Sequence, residues 1–184
     1  IWNNKEPHQS SSIKLAEYAN YFAFSNDNNW MAAGKNLWHL KDGIPEWSVT
    51  LESEFSPNVA VFSPDGRWLT YVLDMGTYSE DGTYNAAVRV KLVDVTQVTE
   101  KSGVTPIIIS DKETMYYRIQ FSADSRWIVF KDAYFLDRMP ALIYDTQNKK
   151  SYPLPYPSLD VDFTSDIKHV VLTEGEYNYD DGSY

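Results

Sequence analysis

The chain has 184 residues and a formal charge of −10, with 43% hydrophobic, 15% aromatic and 23% charged residues. That balance belongs to a folded globular protein, while the negative charge argues against nucleic acid or an anionic membrane surface as partner, since both require Lys and Arg. The lack of cysteine excludes disulfides and thiolate metal sites, and no apolar run approaches the length of a membrane-spanning helix.

In chain order, the first informative element is Phe24-Ser-Asn-Asp-Asn-Asn-Trp30. It recurs without gaps as Phe62-Ser-Pro-Asp-Gly-Arg-Trp68, Phe121-Ser-Ala-Asp-Ser-Arg-Trp127 and Phe163-Thr-Ser-Asp-Ile-Lys-His169. Self-similarity of this kind marks a repeat architecture. Residues before each Phe alternate in polarity, the period of a strand. Ser-Pro-Asp-Gly is turn chemistry, in which Pro fixes φ, Asp bonds its own backbone and Gly accepts φ > 0. A second apolar strand follows at Trp68–Leu73, Trp127–Phe130 and Val170–Leu172. Each copy therefore predicts a tight antiparallel hairpin with aromatic anchors at both ends of its turn.

Strands are expected near 21–25 and 30–34, then at 59–63, 68–73, 88–95 and 106–110. Others follow at 118–122, 127–131, 141–145, 160–164 and 169–173. Asn36–Leu40 and Trp47–Leu51 supply third and fourth strands after Trp30, and Ser151–Leu154 is a weaker fourth strand in the later repeat. Four short strands per repeat describe one blade of an all-β propeller. The expected organisation is a single propeller segment over 1–184. It holds the end of one blade (1–20), a blade at 21–55, a blade with insertions at 56–112, a blade at 113–157 and the start of another at 158–184. Trp68 and Trp127 should occupy equivalent, largely buried positions between blades.

These motifs resemble the WD-repeat superfamily and its TolB-like and peptidase-associated propeller relatives, over essentially the whole chain. Phe62–Leu69 is similar to the family's first-to-second strand turn, and Leu37-Trp38-His39-Leu40 to its Trp-Asp signature. The dipeptide reads Trp2-Asn3, Trp38-His39, Val93-Asp94 and Tyr144-Asp145 in successive copies, so no copy is strictly Trp-Asp. The resemblance implies four-stranded antiparallel blades, in part of a larger ring.

Ile1–Glu6 aligns with Leu37–Asp42, and Ser12–Leu15 with Ser48–Leu51, so the chain is expected to begin within a blade. Gly175–Tyr184 resembles Gly76–Tyr84, which in the second blade leads towards a third strand. Two readings follow. The segment belongs to a larger ring, or its terminal half-blades close on each other as a four-bladed one.

Nothing in the sequence points to catalysis within these residues or to a cofactor or metal. There is no Gly-x-Ser-x-Gly elbow, phosphate loop or His-Glu-x-x-His motif. The candidate contact surface lies in three insertions that each follow a blade's second strand: 75–86, 134–140 and 174–184. Tyr78, Tyr84, Tyr134, Tyr177 and Tyr179 supply apolar area at low entropy cost. Glu80, Asp81, Asp180 and Asp181 make the rim acidic, and Arg138 joins it from the next blade. Two other readings of 75–86 are a solvated Asp-Gly hairpin tip and a calcium loop, although its acidic spacing matches no full calcium motif. The expected function is protein or peptide binding, with a basic partner, the rest of its own propeller or another copy as occupant. The alternatives are the propeller domain of a larger prolyl-peptidase-like hydrolase and the sensor domain of a signalling or defence ATPase.

Overall fold

A computed structural model describes residues 19, 21–85, 87–112, 116–132, 140–157 and 160–173. The first sheet is formed by β1 (Phe22–Phe24), β2 (Trp30–Ala33), β3 (Asn36–Lys41) and β4 (Ile44–Thr50), paired in chain order. The second sheet begins with β5 (Pro57–Phe62) and β6 (Trp68–Asp74). A small separate hairpin, β7 (Thr77–Tyr78) and β8 (Tyr84–Asn85), interrupts it before β9 (Val88–Asp94) and β10 (Ile107–Lys112) complete the order β5-β6-β9-β10. The third sheet is β11 (Tyr116–Phe121), β12 (Trp127–Asp132), β13 (Pro140–Asp145) and β14 (Lys150–Pro157). A two-stranded sheet, β15 (Asp160–Phe163) and β16 (Val170–Thr173), follows. All these pairs are antiparallel. The expected strands lie where the repeat places them, with ends displaced by at most two residues apart from β4, which starts three residues earlier than expected, and β14. β14 runs further than expected, because Pro153 and Pro157 are tolerated on an outermost strand whose free side needs no N–H donor.

The continuous apolar run of β6 has a geometric cause. Alternate side chains of a strand point to opposite faces, and both faces of this sheet are covered. Leu69, Tyr71 and Leu73 enter a core with Trp30, Ala32 and Leu37 of the first sheet. Trp68 and Val72 enter another with Phe121, Ile128 and Phe130 of the third. A third core joins Val129 and Ile143 to Val161, with Trp127, Phe163 and Leu172 packed against it. The described cores are therefore seams between successive sheets, and each fully buried Leu contributes about 1.5–3 kcal/mol.

One polar clamp crosses the first seam. The Tyr71 hydroxyl donates to Glu52 Oε1 at 2.8 Å, and Lys91 Nζ pairs with the same oxygen. Burial, then the carboxylate, push the Tyr71 phenol far above its ordinary pKa, so it remains a donor.

The repeated turn is held by the same bonds each time. Ser63 Oγ donates to Asp65 Oδ1 at 2.5 Å and accepts from Trp68 N at 2.9 Å, while Asp65 Oδ1 also accepts from Arg67 N at 3.1 Å. The copies starting at Ser25, Ser122 and Thr164 repeat all three bonds. The fourth loop position has positive φ throughout: Asn28 at 59°, Gly66 at 74°, Ser125 at 62° and Ile167 at 60°. Adjacent turns also touch, since Asn26 Nδ2 donates to Pro64 O at 2.9 Å and Asp65 N to Ser125 Oγ at 3.0 Å.

Two anchors depart from expectation. Trp68 is 7% exposed, but Trp127 is only half-buried. Third-strand residues Leu142 and Tyr144 share the core of Trp68, whereas the described part of the fourth sheet has only β15 and β16 to set against Trp127. Phe24 is likewise 49% exposed while Phe62 and Phe121 are buried. The latter two lie in seams with a preceding sheet; no described sheet precedes Phe24.

Candidate interaction surface

The insertion after β6 is a built hairpin. Its register sets Thr77 opposite Asn85 and Tyr78 opposite Tyr84, and Met75 N donates to Ala87 O at 2.7 Å across the base. Its tip reuses the repeat's chemistry one residue shorter. Ser79 Oγ donates to Asp81 Oδ1 at 2.6 Å, Thr83 N donates to the same oxygen at 3.0 Å, and Gly82 takes φ 84°. These donors hold the Asp81 carboxyl down at about 2, so the tip is anionic at neutral pH.

A second lock fixes the hairpin to the sheet. The Tyr84 hydroxyl donates to Asp74 Oδ1 at 2.5 Å, and Gly76 N donates to the same atom at 2.9 Å. The Asp74 carboxylate, assisted by burial, raises the Tyr84 phenol to about 12. A Cβ on Gly76 would lie 2.1 Å from that hydroxyl, so the close approach requires glycine. Tyr78 rests against Tyr84 with ring centroids 5.0 Å apart and is 76% exposed. Glu80 and Asp81 are exposed at the tip. The structure thus brings Tyr78, Glu80, Asp81 and Tyr84 together in one ordered element. Tyr134, Arg138, Tyr177 and Tyr179 lie outside the described residues. Among the described residues, no group of three or more His, Asp or Glu is arranged to hold a metal.

The positions that resemble a Trp-Asp signature make contacts within their own sheets. Register sets His39, Asp94 and Asp145 opposite Trp30, Trp68 and Trp127. Arg67 covers Trp68 at 4.7 Å and donates to Asp94 through Nε and Nη2 at 3.0 and 2.7 Å. Arg126 covers Trp127 at 4.6 Å and donates to Asp145 at 3.0 Å. Burial acts to raise the Asp145 carboxyl, but Arg126 and the N–H groups of Asn148 and Gln147 outweigh it and hold the group at about 2. In the first sheet Asn29 replaces the Arg, and His39 replaces the Asp. That ring stacks on Trp47 at 4.9 Å and meets Trp30 edge-on at 5.0 Å. The two positions thus differ together in the first sheet.

No family model matches the sequence, and no curated protein matches it either. Solved structures do match in fold. One described as "Oligogalacturonate lyase in complex with manganese" superposes with a TM-score of 0.54 at 12% identity, covering 81% of this chain and 44% of that one. The fold is a β-propeller. A structure of the tricorn protease is also similar, with a TM-score of 0.46, 12% identity, and coverage of 82% of this chain and 20% of that one. The propeller segment thus spans less than half the length of either match.

Sequence reasoning missed two features. The Tyr84–Asp74 lock joins residues on either side of an insertion. The long β9–β10 connection buries Val95 and Val98 in the core shared with the first sheet. The Asp94-Val-Thr-Gln97 step was its available signal, because Asp94 accepts from Thr96 N at 3.2 Å and caps a short 3-10 turn, Val95–Gln97.

Proposed function

We propose that this propeller segment is a non-catalytic interaction module that presents the β7–β8 hairpin to a basic protein or peptide partner. The observation that carries this reading is the locked hairpin with Tyr78 outermost. Its ordering cost is met within the fold by the Asp74 and Asp81 bonds, so little freedom remains to be lost on binding. Exposed Tyr78 offers amphipathic contact area, while Glu80 and Asp81 steer a cationic partner with a strength that falls as salt rises. The likeness to a lyase bears on fold alone, because function resides in sites grafted on folds.

The test replaces residues 77–84 with an Asn-Gly turn and follows both the thermal melt and the titration of Lys- and Arg-rich peptides. The expected result is an unchanged melt with peptide binding lost, and salt-sensitive binding in the parent chain. Unchanged binding in the replacement would return the hairpin to a solvated tip.

A further inference from the structure

Three Asp-Gly steps fall among the described residues, each in a turn between paired strands. They are Asp42-Gly43 between β3 and β4, Asp65-Gly66 between β5 and β6, and Asp81-Gly82 between β7 and β8. A fourth, Asp181-Gly182, lies outside the described residues. This dipeptide is chemically reactive. The glycine nitrogen can attack the side-chain carboxyl carbon of the preceding Asp, because glycine has no side chain to obstruct the approach.

Two of the three steps are tied at both reacting groups. Asp65 Oδ1 accepts from Ser63 Oγ at 2.5 Å and from Arg67 N at 3.1 Å, while Gly66 N donates to Ser63 O at 2.9 Å. Asp81 Oδ1 accepts from Ser79 Oγ at 2.6 Å and from Thr83 N at 3.0 Å, while Gly82 N donates to Ser79 O at 2.9 Å. Attack at either place must first break these bonds. The Asp81 donors also hold its carboxyl at about 2, which depletes the protonated acid from which water departs.

Asp42-Gly43 has none of this. It is a two-residue loop closed by the pairing of Lys41 with Ile44, with φ 52° at Asp42 and 75° at Gly43, as a type I′ hairpin turn requires. Neither the Asp42 carboxylate nor the Gly43 N–H makes a hydrogen bond. Asp42 is exposed, and a Cβ added at Gly43 would meet nothing within 4 Å.

We propose that Asp42 is a site of spontaneous isoaspartate formation, singled out from the other Asp-Gly steps by the lack of a turn clamp. The Gly43 nitrogen bonds to Asp42 Cγ. Its proton and the hydroxyl of the protonated carboxyl leave together as water, closing a cyclic imide. Water then reopens the ring. Cleavage at Cγ restores aspartate, whereas cleavage at the main-chain carbonyl leaves the backbone running through the side chain. That product adds a methylene to the two-residue loop, so the Lys41–Ile44 pairing is lost. The damage is confined to the edge of the first blade, where β4 is an outermost strand.

The test holds the chain at neutral pH and body temperature, with and without urea, then digests it. Each Asp-Gly peptide is resolved chromatographically from its isoaspartyl form. In the folded chain isoaspartate should accumulate at Asp42 faster than at Asp65 or Asp81 by about tenfold or more, the factor imposed when a bond to a charged group must break first. In urea the three should react alike, since each Asp precedes glycine and no turn remains. Ser79→Ala should speed the reaction at Asp81 without altering the melt, because its hydroxyl lies on an exposed tip. Chains carrying the modified Asp42 should exchange the Ile44 amide faster while β7–β8 exchanges as before. Equal rates at the three sites in the folded chain, a lead for Asp42 that survives unfolding, or an Asp81 rate indifferent to Ser79→Ala would each overturn the proposal.

Discussion

The seam around Trp68 and the seam around Trp127 start from nearly the same residues and end differently. Both tryptophans open a second strand, follow an Arg that stacks on them, and stand opposite an Asp. Yet Trp68 is 7% exposed and Trp127 half-buried. Leu142 and Tyr144 pack into the seam of Trp68, while β15 and β16 are the described strands beside Trp127. A repeat motif fixes a residue's direction, and the next repeat fixes its energetic worth.

The largest expected effect tests that statement. Trp68→Ala should cost about 3–5 kcal/mol in denaturant unfolding, as for a packed core aromatic. An unchanged melt would mean that the motif is not a packing anchor. Glu52→Ala should cost about 3 kcal/mol, because it leaves the Lys91 ammonium and Tyr71 hydroxyl in a mostly buried seam without their acceptor. A second substitution, Lys91→Met, should recover part of that loss. Trp127→Ala should cost only about 1–2 kcal/mol, in keeping with its partial burial. A cost equal to that of Trp68 would remove the contrast between the seams.

Acid sharpens the comparison within the third blade. The Asp145 carboxyl titrates near 2 in the fold, below its ordinary unfolded value. Its stabilisation is therefore complete above the unfolded value and disappears as pH falls from about 4 through about 2. The contribution is on the order of 1–2 kcal/mol. Asp145→Asn should flatten that part of the stability–pH curve, and an unaltered slope would show that Asp145 carries none of it. The smallest effect belongs to the hairpin. Gly76→Ala should displace the Tyr84 ring from Asp74, speeding amide exchange at Thr77–Asn85 while shifting global stability by less than about 0.5 kcal/mol.

Much of the fold was legible because its determinants are local. Phe62-Ser-Pro-Asp-Gly-Arg-Trp68 states its turn, both flanking strands and its own recurrence within a few residues. The hairpin tip was legible for the same reason, since Ser79, Asp81, Gly82 and Thr83 make their bonds with one another. The Tyr84–Asp74 lock was not, because it joins the insertion to the end of β6. Nor was the Glu52–Lys91–Tyr71 clamp, whose members come from two blades. The exposures of Phe24 and Trp127 depend on neighbouring sheets that the motif itself does not contain.

The Ser/Thr–Asp turn has a kinetic consequence. Every bond that defines it lies within five residues of the Ser or Thr that begins it, so a hairpin can close on the microsecond scale without help from distant chain. The seams cannot form until two such sheets exist, and the Tyr71–Glu52 contact spans 19 residues. Folding should therefore proceed as prompt closure of local hairpins followed by slower docking of neighbours, with the sequence distance between partners rather than their burial setting the pace.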